Sequence, residues 1–397
     1  MLLWSGQTLS QLGSQISLVA YPLLVLALTG SAAKAGVVGF ARTVPVAVLA
    51  LPAGAVADRM NRKYLMVICD GSRALALVTI PIALAAGGVP YLLVVAVAGI
   101  DGSGFVFSYV AERGALRQLV SREQLAEAVA RNESRTFGAM VAGPPLGGLL
   151  FGIGRALPFL TDAITYAASA MSMLLIRSDF QEARAGEQPR DLREGLRWIW
   201  QRPFFRGCAI LFAGSNPIFT GLYLLVVVLA KRHGASSLLV GTMLAIAAGG
   251  GLLGALLAPT LQRKLAPRQV LLGEAWLLAL VLPLLLLAHN ALLLGLIVAA
   301  AELITPVTNS IVVSYRVSLA PDRLQGRVQA AATLISFSAG WLGPLAVGVM
   351  LQSAGSTTTI LVLTGWAFLL AVGAVAAPAF RHPPKLPVLE ANATMGA

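Results

Sequence analysis

Charge is what this chain has least of. Asp, Glu, Lys and Arg make up 12% of its 397 residues, 17 acidic against 29 basic, where an ordinary soluble domain carries about 25%. A water-facing surface of normal charge density cannot be assembled from it. Cysteine is confined to Cys69 and Cys208, both in or beside apolar stretches, which argues against a disulfide framework. The three histidines, His233, His289 and His382, are scattered, so no metal cluster is expected. No G-x-x-x-x-G-K-S/T loop occurs, which argues against ATP-driven work, and no other feature points to an enzyme or a cofactor. The opening MLLWSGQTLS lacks the basic region of a cleavable signal, so the first helix is expected to stay; a start slightly upstream of Met1 is compatible with it.

Apolar residues are what the chain has in excess. They make up 57% of it, with a mean hydropathy of +0.80, more apolar surface than one water-soluble core of this length buries. About twelve apolar stretches recur: 7–28, 35–56, 64–86, 91–111, 129–153, 156–176, 205–229, 237–260, 268–288, 291–311, 327–352 and 357–379. Each can cross a hydrocarbon layer of about 30 Å as a helix, and the alternating pattern of a β-barrel is absent. The chain reads as an all-α polytopic membrane protein.

A net charge of +12 would suit a nucleic-acid partner if the charge were clustered on one soluble surface. Instead, assigning alternate connections to alternate sides puts most Lys and Arg on one side. Arg59, Arg62, Lys63, Arg113, Arg117, Arg122, Arg263, Lys264, Arg323 and Arg327 fall there with loop 177–204, against Lys34, Arg155, Lys231 and Arg232 on the other. By the positive-inside rule the basic side is cytoplasmic and both termini lie there. A multi-pass protein of a bacterial inner membrane is expected.

The segment 178–206 is the only long polar stretch and lies near the middle. It divides six spans from six: a first bundle 1–176, a cytoplasmic linker 177–204, a second bundle 205–380 and a tail 381–397. Within the linker, Leu192, Leu196, Ile199 and Trp200 recur beside Arg193, Arg197 and Arg202, the pattern of an amphipathic helix at a membrane surface or of a solvated linker helix. At an offset of 200, GPPLGG (143–148) meets GPLAVG (343–348); at 204, Asp70 falls on Glu274; at 201, Asp101 falls on Glu302. Two pseudo-symmetric six-helix bundles follow, with a substrate site expected at their interface near mid-membrane.

Between the second and third spans lies AGAVADRMNRKYL (53–65), carrying Gly54, Asp58, Arg59, Arg62 and Lys63. This stretch resembles the G-x-x-x-D-R-x-x-R-K signature of the major facilitator superfamily of secondary transporters, with Asn61 in place of a usual glycine. The resemblance extends over the whole chain and is nearest to bacterial efflux and secretion members, enterobactin-exporter-like and macrolide-efflux-like. It implies a conformational latch at this loop, with Gly54 permitting close helix approach and Asp58 meeting a helix N-terminus. Asp70 and Arg73, one helical turn apart, read as support for the latch or as a plain ion pair. Gly143, Pro144, Gly147 and Gly148 resemble the fifth-helix signature of proton-exchanging exporters; small residues there permit tight packing and Pro144 a kink.

An ionised carboxylate at mid-bilayer costs roughly 2.5–3.5 kcal/mol even on permissive scales. Asp101 and Glu302 lie at about that depth in the fourth and tenth spans, which the resemblance implies line the central cavity, so each is a proton-coupling candidate or a neutral, hydrogen-bonded structural acid. Arg42 is another intramembrane charge, expected to be paired or to snorkel outward. Asp162 reads as shallow and structural. Gln7, Ser10, Gln11 and Ser14 form a polar stripe on the first helix; with Asn216, Tyr223, Thr305 and Asn309 they are candidates for a hydrogen-bonding cavity among apolar walls, or for helix-to-helix bonds. No set of deep basic side chains is expected in that cavity.

The expected function is alternating-access export of an amphipathic or hydrophobic small molecule in exchange for protons, by a monomer in the lipid bilayer, without nucleic acid or metal. A dedicated siderophore or metabolite exporter, a lipid transporter, uptake by symport, and a non-transporting sensor or assembly partner are the alternatives.

Overall fold

In the computed structural model, residues 2–119, 125–176, 192–381 and 384 are described, and every regular element among them is helical. The first half comprises α1 (Leu2–Thr29), α2 (Ala32–Arg59), α3 (Arg62–Ala85), α4 (Tyr91–Leu119), α5 (Leu125–Ile153) and α6 (Leu157–Leu175). A short α7 (Leu192–Trp200) follows the polar segment, most of which lies outside the described residues. The second half comprises α8 (Pro203–Arg232), α9 (Ser237–Lys264), α10 (Pro267–Val281) with a 3-10 extension over Leu282–Leu286, α11 (Ala291–Glu302), α12 (Thr305–Leu319), α13 (Gln325–Phe337), α14 (Leu342–Ser353) and α15 (Gly355–Ala376). Among the described residues, ten helical units are long and apolar enough to cross a membrane. Together with α6 and the α13–α14 pair they give the twelve crossings read from the apolar runs.

Three stretches expected to be continuous are interrupted, all in the second half. Pro283 lies where α10 tightens into its 3-10 extension, and Pro306 lies just after the break between α11 and α12 at Leu303–Ile304. Proline lacks the N–H that would bond residue i−4 and its ring crowds that carbonyl, so the helix is broken there. The break at Ser338–Trp341 contains Gly340 but no proline.

The repeat is visible in the turns. Gly30 (φ 64°) precedes Ser31, which caps α2 by accepting from the Lys34 amide. Gly234 (φ 77°) precedes Ser236, which caps α9 by accepting from the Leu239 amide. Glycine supplies the positive φ and serine the N-cap, twice, about 204 residues apart.

The halves join at the end of the bundle carrying few charges. A side chain on Gly36 of α2 would run into the Pro344 carbonyl of α14, and one on Gly241 of α9 into the Pro144 carbonyl of α5. These are the same contact made twice, each helix backbone seated on the other half where only glycine fits. The Ala32 amide donates to Gln352 Oε1 at 3.2 Å, and Phe40 meets Trp341 edge-on with centroids 5.4 Å apart. One buried cluster there holds residues of both halves, including Val19, Leu24, Leu222, Leu225 and Val347. Toward the basic end each half has its own cluster, Leu65, Met66 and Met173 in the first and Phe205, Val270 and Val328 in the second.

The linker helix α7 docks on the second half. Trp198 and Ile199 are buried beside Phe205 and Val328, Gly195 abuts the Arg327 carbonyl, and Glu194 pairs with Arg327. Leu196 and Trp200 face outward.

Candidate functional site

Asp101, fully buried in α4, accepts from two arginines on neighbouring helices. Arg42 Nε of α2 donates to its Oδ2 at 2.8 Å; Arg73 Nε of α3 donates to Oδ1 at 2.9 Å, with Nη2 2.7 Å away. Tyr166 of α6 donates to the same Oδ1 at 3.2 Å and meets Ser14 Oγ of α1 at 2.7 Å. The Arg73 guanidinium stacks on the Tyr166 ring, 3.9 Å from its centroid. Three neighbouring helices thus converge on one carboxylate of α4, and α1 joins them through Ser14.

Asp70, one turn before Arg73, completes the balance. Its Oδ1 lies 4.0 Å from Arg73 Nη1, and its Oδ2 accepts from Ser169 at 2.7 Å. Two carboxylates face two guanidinium groups, which makes this much charge tolerable in a low-dielectric interior. Of the two readings of Asp70 and Arg73, the ion pair is present at 4.0 Å, and Arg73 also donates to Asp101. Asp162, expected to be shallow, is fully buried one turn before Tyr166, with Oδ2 unpartnered among the described residues.

A cavity of about 440 Å³ lies beside this cluster, walled by α1 to α5. Gln7, Gln11 and Ser14 line it as the helix-one stripe implies, together with Arg42, Arg73 and the pair Arg135–Glu112, 2.6 Å apart. The expectation of a cavity without deep basic groups is corrected: three arginines line it, each matched by an acid. A second cavity of about 310 Å³ lies between the halves, walled by α1, α2, α8 and α14. Its lining is mostly apolar and includes Tyr21, Phe219 and Tyr223; Leu18, Arg42 and Thr43 border both cavities. The hydroxyls of Tyr21 and Tyr223, 202 residues apart on the repeat-related α1 and α8, are buried without a partner among the described residues.

The sequence matches the model of the Major Facilitator Superfamily over residues 3–344. The chain belongs to that superfamily. It is a multi-pass membrane transporter by family. It is 29% identical to the multidrug efflux pump Tap of Mycolicibacterium fortuitum, over 93% of each chain. Its fold is similar to that of a bacterial homologue of the iron transporter ferroportin in an inward-facing state (TM-score 0.72, 17% identity, 96% of this chain and 98% of that one). It is also similar to a bacterial homologue of the human lysosomal transporter Spinster (TM-score 0.71, 16% identity, 96% and 94%).

The superfamily's loop signature sits at the α2–α3 connection. Asn61 caps α3 by accepting from the Lys63 amide at 2.9 Å, and Lys63 Nζ donates to the Ile176 carbonyl at 2.5 Å, holding the end of α6. Arg59 is exposed and Arg62 buried; the Asp58 side chain lies outside the described residues. Gly54 makes no close approach in this conformation: a side chain there would meet nothing within 4 Å among the described residues. In the fifth-helix signature, Gly143 and Gly147 seat α5 on Gln15 and Ile16 of α1, while Gly148 and Pro144 face α9.

The remaining candidates are dispersed. Asn216 donates to the Phe212 and Ser336 carbonyls, tying α8 to α13, Asn309 is exposed, and Thr305 lies at the α11–α12 break. None of the three lines either cavity. Glu302 also stands at that break, far along the chain from the Asp101 cluster and without its arginines. Sequence reasoning missed Tyr166, Glu112 and Arg135 as site residues. The charge of Arg135 inside an apolar span was a usable signal, whereas Tyr166 gave none.

Proposed function

We propose that this transporter exports amphipathic or hydrophobic small molecules in exchange for protons, by alternating access, from the inner membrane of a bacterium. The observation that carries this reading is that Arg42 is paired with Asp101 and also borders both cavities. A proton arriving at Asp101 discharges the acceptor that holds Arg42 and Arg73, and the freed guanidinium groups change what the cavity can bind. Substrate and proton then compete through one side chain, which is the differential interaction that coupling requires. A polar, charge-balanced cavity beside an apolar one suits a molecule with a polar end and an apolar body. The resemblance to pumps named for multidrug efflux supports export.

The positive-inside rule places the basic end in the cytoplasm with both termini. The halves join at the other end, so this conformation is inward-facing. On this reading the superfamily latch engages in the opposite state, when Gly54 meets the second half. The proton gradient is the energy source, no cofactor is needed, and a monomer suffices because both halves come from one chain.

The test uses purified protein in liposomes with a trapped pH dye, challenged with lipophilic drugs and siderophores across an imposed proton gradient. Compound-dependent proton movement, lost in Asp101→Asn, is expected. Compound transport without proton movement would overturn the coupling, and siderophore transport alone would assign a dedicated exporter.

A further inference from the structure

The second half carries an acid pair that the Asp101 cluster does not explain. Glu274 of α10 is only 6% exposed, and its Oε2 has no hydrogen-bond partner among the described residues. Glu302, the last residue of α11, stands two residues before Ile304, whose Cδ1 a methyl group on Gly273 would approach to 4.0 Å, so the two acids flank one helix contact. Neither forms an ion pair among the described residues. The two stand at the same depth: Glu302 is eleven residues beyond Ala291, and Glu274 twelve before Leu286.

The α11–α12 break passes beside them. A methyl group on Gly273 would sit 4.0 Å from Ile304 Cδ1, which puts Glu274 next to the interruption. Pro306 has no N–H, so the Glu302 carbonyl lacks its helical donor. Thr305 Oγ1, at the start of α12, is buried without a partner among the described residues, and Thr308 is fully buried one turn on. From α8 come Ser215, which shares a small void with Glu274, and the Cys208 thiol. From α15 the same void receives only Ala367 and Leu370. The nearby cation, buried Arg316 of α12, acts on Cys208 and pairs with neither glutamate. Asp101 in the first half accepts from two arginines. The second half offers two carboxyl groups, the Thr305 and Thr308 hydroxyls beside Glu274 and, among the described residues, no counter-charge paired with either acid.

We propose that Glu274 and Glu302 form a proton-binding site of the second half, in which the two carboxyl groups share one proton as a coupled pair. A carboxylate at this depth without a cation is relieved by a proton, and a protonated carboxyl can donate to its neighbour or to a threonine hydroxyl. Removing the second proton from such a pair is opposed by the charge left by the first. The proposal deepens the proton-coupled reading above, and its test does not depend on transport.

Infrared difference spectra of the full-length protein in lipid nanodiscs, recorded through a pH titration, report carboxyl groups directly. Wild-type protein is expected to show two carboxyl steps at least about one pH unit apart, and Glu274→Gln and Glu302→Gln each a single step lying between them. Thr305→Val, which keeps both acids, is expected to move both steps and serves if a glutamine variant does not fold. A Glu302 step that stays in place in Glu274→Gln overturns the pair, and so does a spectrum in which neither substitution removes a step. If the paired titration is present but liposomes show no proton movement, the proposed function fails and the site stands.

Discussion

Arg42 Nε donates to Asp101 Oδ2 at 2.8 Å across α2 and α4, and the same side chain borders both cavities. The carboxylate is buried and the guanidinium partly exposed, at 1% and 19%, so the two partners are not equivalent. Asp101→Asn strands two arginines, one of them fully enclosed, whereas Arg42→Leu leaves Asp101 with Arg73. Removing one partner of a buried pair costs roughly 3–5 kcal/mol. Asp101→Asn is expected near that range, Arg42→Leu clearly below it, and the double variant less destabilised than the sum. Thermal unfolding in detergent checks this, and additive losses would mean the pair is not coupled.

The glycine contacts at Gly36 and Gly241 join the halves at the charge-poor end. Gly36→Val and Gly241→Val each place a side chain against a carbonyl of the other half. Overpacking of this kind costs about 1–3 kcal/mol, and 1.4 kcal/mol is a tenfold change in population. Both variants should shift the protein toward separation at the charge-poor end. Spin-label distances across Gly36 and Pro344 report the shift, with equal effects expected because the contact is repeated. A valine variant with unchanged distances would show that these contacts do not hold that end closed.

How much of this was legible in the sequence depends on the range of the interaction. Apolar runs gave twelve crossings because lipid imposes both length and composition on each helix. The repeat was legible because GPPLGG and GPLAVG make equivalent contacts. Pro306 marked a weak point in the tenth crossing, but the break at Ser338–Trp341 carries no such mark. Periodicity places Arg42, Arg73 and Asp101 on faces of three helices without giving the rotation of one helix against another. The partners, 59 and 28 residues apart, were therefore invisible, and so was Tyr166, whose role depends on its hydroxyl reaching α4. Gly54 has no such contact to read: a side chain there would meet nothing within 4 Å in this conformation.

Lys63 has a local role independent of any latch. Its ammonium holds the Leu174 and Ile176 carbonyls at the end of α6, a favourable site for a cation at a helix C-terminus. Lys63→Met keeps the apolar stem and removes the charge. Stability should fall by about 0.3–1 kcal/mol, a small decrease in melting temperature. A loss of transport much larger than this stability change implies would assign Lys63 to the conformational cycle as well.

Tyr21 and Tyr223 separate stability from binding. Their hydroxyls are buried without a partner among the described residues, on repeat-related helices that face one apolar cavity. An unsatisfied buried hydroxyl costs about 1–3 kcal/mol, so Tyr21→Phe and Tyr223→Phe should melt no lower than wild type. If the hydroxyls serve a transported molecule with a hydrogen-bond acceptor, the same substitutions weaken its binding in detergent. Higher stability with weaker binding is the expected pair of results, because it places an unmet donor from each half in the cavity between them. Lower stability would mean that the hydroxyls are bonded within the protein, and Arg42, Thr43 and Thr220 would then be left to orient a polar group in the apolar cavity.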